Sequence, residues 1–281
     1  MGNTKNDNSF RLEEQPSLMQ ASLGRAKVIV PGARGLRLTG LNSFHLDEGP
    51  DFLWLNIYRV MADATELEVT RDRTATVSLQ NGAVEVRWPV CEAVDGELFA
   101  RYRIDETASA VDVTFGADIN RNYRGFELYI ANYFTPYYAP QYAIQDNSTH
   151  PNGIFWYRKK WFSDDENESW ARDGAGEAVF QDGRWQTGHA INWRRGPFYA
   201  YPLMIQEHRY GHATLLMARP EDCFGISGLN SYHNSQYFHL FGRDVAAGEC
   251  VAATVRLVIL TKWDDLRQEA LARYNDWLAL P

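Results

Sequence analysis

From Phe52 onward the sequence repeats one pattern: short runs alternating apolar and polar residues, broken about every eight to twelve residues by Gly, Asn or Asp. Period-two alternation suits a strand with one buried face, and turn signals at this spacing predict an all-β sandwich or barrel. Thr74 to Leu79, Ala83 to Trp88, Leu98 to Ile104 and Val111 to Gly116 are runs of this kind, separated by Asn81-Gly82, Asp95-Gly96 and Asp105-Glu106-Thr107. Asn81-Gly82 is the strongest hairpin signal, because both central residues of a type I′ turn need positive φ. Cys250 to Leu260 is a longer β-branched run. The period then changes: Asp264 or Asp265 caps a short C-terminal helix striped by Leu266, Ala270, Leu271, Tyr274 and Leu278. No linker, repeat or low-complexity stretch interrupts residues 23–281, which are expected to form a single β-sandwich domain. Residues 1–22 are expected to be a polar segment, frayed or lightly docked.

Leu203 to Arg219 holds two of the seven histidines, and its turn decides where they point. A three-residue loop, Arg209-Tyr210-Gly211, with Gly211 left-handed, sets His208 opposite His212. This register gathers Leu203, Ile205, Ala213, Leu215 and Met217 on one face, with Glu207. Gln206, His208, His212 and Thr214 take the other face, with Met204 and Leu216 further from the turn. A two-residue loop mixes polar and apolar side chains on both faces, so the paired register is preferred. Two imidazoles about 5 Å apart at the backbone can exchange protons, bind a metal, or merely end a solvated hairpin.

A net charge of -8 speaks against non-specific nucleic-acid binding. Met1 to Phe10 has no apolar core of a signal peptide, and no run is long enough to span a bilayer. Cys91, Cys223 and Cys250 are odd in number and lack Cys-x-x-Cys spacing, which predicts reduced thiols and a cytoplasmic location. Pro31 to Gly35 lacks the Gly-Lys-Ser/Thr of a phosphate loop and is expected to be a tight connection.

Aromatic residues are 14% of the chain, suited to half-buried sheet faces and binding clefts. Phe126 to Phe134 predicts a strand. The following Thr135 to Tyr142 includes Pro136 and Pro140, which cannot donate to a ladder, so it is expected to be loop or edge. Its tyrosines either wall a cleft or cap the core. Gly153 to Phe162 interleaves aromatics with Arg158, Lys159 and Lys160, beside acidic Asp164 to Glu168. The basic tip can meet a carboxylated ligand, and no calcium-loop spacing is present. Residues 178–193 predict two strands around Gly183, followed by a turn at Arg194-Arg195. In Gly228 to Phe241, read as one strand, His233, Ser235, Tyr237 and His239 share a face.

Arg124-Gly-Phe-Glu-Leu-Tyr-Ile-Ala-Asn-Tyr-Phe and Tyr237-Phe-His-Leu-Phe-Gly-Arg-Asp-Val-Ala-Ala-Gly-Glu resemble uncharacterised bacterial proteins with a galactose-mutarotase-like, aldose-epimerase-like β-supersandwich. The resemblance spans about residues 50 to 277. It implies a large antiparallel two-sheet supersandwich with a sugar-binding concave face. It also implies relatives among aldose epimerases, polysaccharide lyases, glycosidases and non-catalytic carbohydrate modules. No epimerase Asn-His-Thr motif or late catalytic Glu aligns here, so no family catalytic residue transfers.

Two functions are expected. The first is a sugar epimerase, isomerase or lyase working by proton transfer at His208, His212, His233 and His239, with Glu207, Asp244 or Glu249 as carboxylate. Arg124, Asn132, Tyr137, Tyr138, Trp156 and Arg219 would then bind substrate, with Arg243 as a further cation. No cofactor is required, although the histidines can also take a divalent metal. The second is a non-catalytic carbohydrate-binding or interaction sandwich, with Tyr137, Tyr138, Trp156 and Trp161 stacking on sugar rings.

Overall fold

The structure is a computed structural model that describes residues 17–23, 26–31, 41–45, 49–70, 73–146, 153–158, 168–185, 196–230 and 234–280. A four-stranded meander comes first: β1 (Ser17–Leu23), β2 (Ala26–Pro31), β3 (Leu41–His45) and β4 (Gly49–Trp54). Residues 17–22, expected to fray, thus belong to a strand, because pairing with β2 satisfies their backbone whatever their side-chain polarity.

The chain continues through β5 (Asn56–Ala62), β6 (Thr65–Val69), β7 (Thr76–Gln80), β8 (Ala83–Trp88), β9 (Gly96–Asp105), β10 (Ala110–Ile119) and β11 (Tyr123–Phe134). Next come β12 (Tyr138–Gln145), β13 (Ile154–Arg158), β14 (Glu168–Ala171) and helix α1 (Gly174–Phe180). The hairpin β15 (Tyr199–His208) and β16 (His212–Ala218) precedes β17 (Cys223–Asn230), β18 (Asn234–Val245), β19 (Cys250–Leu260) and helix α2 (Leu266–Leu278). Nine strands form one sheet in the order β13-β12-β15-β16-β19-β10-β9-β8-β7, and six form another in the order β14-β17-β18-β11-β5-β6. All pairings are antiparallel, and alternate residues of the two sheets fill the space between them. Val113 and Phe115 of β10, Val255 and Leu257 of β19, Leu128 and Ile130 of β11, and Phe238 and Leu240 of β18 belong to one buried cluster.

Local chemistry sets the connections. Asn81 and Gly82 both have positive φ (51° and 73°), joining Gln80 to its partner Ala83 in a tight hairpin. Asp265 caps α2, accepting from the amides of Arg267 and Gln268, while Leu266, Ala270 and Tyr274 pack on Leu203, Ile205, Leu215 and Met217. The region from Thr135 to Tyr142 is only partly loop, since β12 starts at Tyr138. Pro140 is tolerated because β13 pairs with β12 only from Gln141 onward, so the strand is an edge at the proline.

Two further expectations are corrected. Residues 178–180 end a helix rather than open a strand. Asp173 accepts the Gly176 amide at the helix start, and residues 181–185 are turn, so the first of the two strands expected around Gly183 does not form, while most of the second lies outside the described residues. Gly228 to Phe241 is not one strand: β17 and β18 pair with each other, Asn230 opposite Asn234. The connection at 32–35, Lys159, Lys160, Trp161, the acidic residues 164–167 and residues 186–195 lie outside the described residues. Cys91, Cys223 and Cys250 are free thiols. Among the described residues no helix is long and apolar enough to cross a membrane.

Candidate functional site

The predicted histidine pair forms. Gly211 has φ 84°, its amide bonds to the His208 carbonyl at 3.1 Å, and His208 lies opposite His212. The rings stack with centroids 4.1 Å apart, 3% and 2% exposed, so they are not at a solvated end. The shared face of Met204, Gln206, His208, His212, Thr214 and Leu216 points between the sheets, where Tyr138 closes over it. Tyr138 Oη hydrogen bonds with His212 Nε2 at 3.1 Å, and the Tyr210 amide donates to His208 Nδ1 at 3.2 Å. Both links order the end of the core.

The remaining predicted residues disperse. Glu207 points to the opposite face, as its parity requires, and accepts from Gln141 (3.1 Å) and Arg158 (2.9 Å). Asn132 is fully buried, accepting from the Leu55 amide (2.9 Å) and donating to the Gln236 carbonyl (3.0 Å). Tyr137 lies under the Arg209 guanidinium at 3.8 Å, and Trp156 packs against the cluster beneath α2. Arg219 donates to the carbonyls of Leu278 and Leu280. Arg124 is exposed at the start of β11 beside Asp63. Asp244 accepts the Gly125 amide, and Glu249 pairs with Arg243 across a turn. His233 lies outside the described residues.

His239 is in different company. Glu127, Tyr129, Ala131 and Tyr133 alternate along β11, and Tyr237 and His239 along β18, on the face turned away from the nine-stranded sheet. His239 Nδ1 lies 2.7 Å from Glu127 Oε1, and its Nε2 lies 2.8 Å from Ser227 Oγ on β17. With the carboxylate as acceptor, the ring proton sits on Nδ1, and Nε2 is left to accept from the Ser227 hydroxyl. Arg184 binds the other Glu127 oxygen at 2.7 Å and grips Asp182 as well, so a fixed cation backs the pair. Glu127, His239 and Arg184 are buried to 1% exposure or less. Burial holds the His239 pKa below its ordinary value, against the pull of Glu127 and with the help of Arg184, so the ring is neutral near pH 7.

Gly125 makes room for Arg184. It has φ 56°, and a Cβ there would lie 2.5 Å from the guanidinium NH2. Aromatic rings wall the cluster. Tyr129 stacks on Tyr237 (4.7 Å, 13°), Tyr58 stacks on Tyr129 at 6.0 Å, and Trp185 meets Tyr129 edge-on at 5.1 Å. Phe180 and Phe224 close on His239 from the other side. Tyr58 and Trp185 are the half-buried members, and Arg59 lies over the Tyr58 ring at 4.7 Å.

Of this cluster only His239 is singled out by its sequence. Glu127, Ser227, Arg184 and the tyrosines were missed, although the Glu127, Tyr129, Tyr133 alternation is visible within one strand. Among the described residues no group of three His, Cys, Asp or Glu side chains is placed to hold a metal ion.

No family model and no curated protein matches the chain in sequence. Solved structures do match its fold. Slr1438 from Synechocystis sp. PCC 6803 superposes with a TM-score of 0.54 at 11% identity, covering 93% of this chain and 100% of that one. A proposed aldose 1-epimerase from Escherichia coli K12 gives 0.50 at 10% identity, covering 87% and 98%. The α-N-acetylgalactosaminidase NagBb from Bifidobacterium bifidum gives 0.54 at 10% identity, covering 92% of this chain but 39% of that one. The fold is that of a galactose-mutarotase-like β-supersandwich. At such identities the likeness establishes architecture and no more.

Proposed function

We propose that the protein binds a carbohydrate on the tyrosine-lined outer face of the six-stranded sheet, and that His239 moves a proton there in an epimerase, isomerase or lyase type of reaction. The observation behind this reading is the Ser227, His239, Glu127 relay, with bonds of 2.8 and 2.7 Å, on the same face as the stacked rings. A substrate hydroxyl at Ser227 would pass its proton to the serine oxygen as the serine proton moves to His239 Nε2. The imidazolium so formed is stabilised by Glu127, and the reverse transfer returns the proton to a different substrate oxygen or carbon. Tyrosine faces suit the apolar side of a sugar ring. Two fold relatives support a sugar ligand: the Escherichia coli protein is a proposed aldose 1-epimerase, and NagBb has been seen in complex with GalNAc.

Full burial of His239 and Glu127 favours a second reading, in which the relay only anchors the aromatic face and binding proceeds without chemistry. A melting-point panel of neutral sugars, uronic acids and divalent metals tests both, since a ligand of the native state raises the melting point. The catalytic reading expects a sugar that stabilises the wild type and is turned over, with turnover lost and binding kept in His239→Asn. Binding without turnover selects the second reading. A rise with a metal that disappears in His208→Ala selects a metal site instead, and a flat panel removes carbohydrate altogether.

A further inference from the structure

On the face of the nine-stranded sheet that holds α2, a cavity of about 590 Å³ opens beside the end of that helix, with Arg101, Arg103, Arg219 and Arg256 in its lining against Asp112 and Glu221. The ladder explains the concentration. Arg101, Thr114 and Thr254 lie side by side across β9, β10 and β19, and Arg103, Asp112 and Arg256 form the next row on the same face.

Most of these charges are already committed. Arg256 grips Asp112 in a fork of 2.7 and 2.6 Å, and Arg101 grips Glu85 at 2.6 Å. Arg219 lies over the Trp277 ring at 5.4 Å and donates to two backbone carbonyls, which use two of its five N–H groups and leave its charge uncancelled. Arg103 is exposed and makes no hydrogen bond or ion pair with the described residues. Within the first row, the hydroxyls of Thr114 and Thr254 meet at 2.9 Å. Whichever donates, the other keeps a proton to offer.

We propose that this groove is a second ligand site, for a small molecule bearing a phosphate or carboxylate group held by Arg103 and Arg219 above the threonine hydroxyls. It lies on a different sheet from the tyrosine face and does not depend on that reading. Glu221 is the opposing charge that keeps the groove selective for well-placed oxyanions rather than for any anion.

Calorimetric titration at fixed ionic strength with inorganic phosphate and, separately, with glucuronate tests the site. At least one is expected to bind. Arg103→Gln should weaken that binding about tenfold, the loss of one charge-assisted contact, without moving the unfolding transition of the free protein. Glu221→Gln should tighten it. Phosphate binding alone assigns a phosphorylated ligand and glucuronate binding alone a carboxylated one. Heat from neither anion, or affinity unchanged in Arg103→Gln, overturns the proposal.

Discussion

His208 and His212 are held between the sheets by each other's rings, by a phenol and by a backbone amide, whereas His239 is held on the outer face by a carboxylate that an arginine backs. Both arrangements bury imidazole almost completely, yet the groups that accompany them differ. The first brings together rings, a phenol and a backbone amide from neighbouring strands. The second needs an ion pair in the interior, where each charge depends on its partner. Polar groups of the first kind tolerate replacement by a ring of like shape, while those of the second fail when one member is removed.

The sharpest test is Arg184→Met, which leaves Glu127 buried without its cation. It should cost about 3 to 5 kcal/mol in denaturant unfolding. A loss below 1 kcal/mol, of the size expected at a surface pair, would erase the distinction. Gly125→Ala acts on the same cluster from the backbone side, forcing a Cβ onto a residue with φ 56° and into the Arg184 guanidinium. About 1 to 3 kcal/mol of strain is expected, read in the same measurement. His212→Phe should keep the stacked pair and lose the bond to Tyr138, lowering stability by only about 1 kcal/mol. A loss as large as that of Arg184→Met would mean that the inter-sheet pair also depends on charge.

The gentlest test reads a slope. The pKa of His239 is lowered in the folded protein, chiefly by burial, so the unfolded chain takes up its proton first as pH falls. Its contribution is therefore fully present above the ordinary histidine value of 6.5 and is lost as pH drops from there toward the folded value. His239→Asn should flatten unfolding free energy against pH in that window, and His212→Phe should leave the His239 part of the slope in place. Identical slopes in wild type and His239→Asn would show that another group governs the acid limb.

The same contrast governs what the sequence reveals. His208 and His212 are four residues apart, so turn chemistry and alternation suffice to pair them, and the register between Leu203 and Met217 follows. β8, β19 and the cap of α2 are equally local, being set by Asn81-Gly82, a β-branched run and Asp265. Glu127 and His239 are separated by 112 positions, and their contact requires β11 to pair with β18, which alternation within either strand does not disclose. Arg184 follows a helix whose start depends on a single cap at Asp173, and a short apolar run there looks like strand.

The strand order of the large sheet has a consequence for how the chain assembles. β7 to β10 form one half and β12, β13, β15 and β16 the other, and β19 is the piece that joins them. Before it arrives, β10 and β16 each present an unpaired edge with exposed backbone amides and carbonyls. The two halves are therefore expected to wait for a late segment whose partners are far away in sequence, Thr254 opposite Thr114 for example. Closure of such distant contacts is slow. During synthesis the chain is therefore expected to expose two open sheet edges, and to be at its most adhesive just before residues 250–260 emerge.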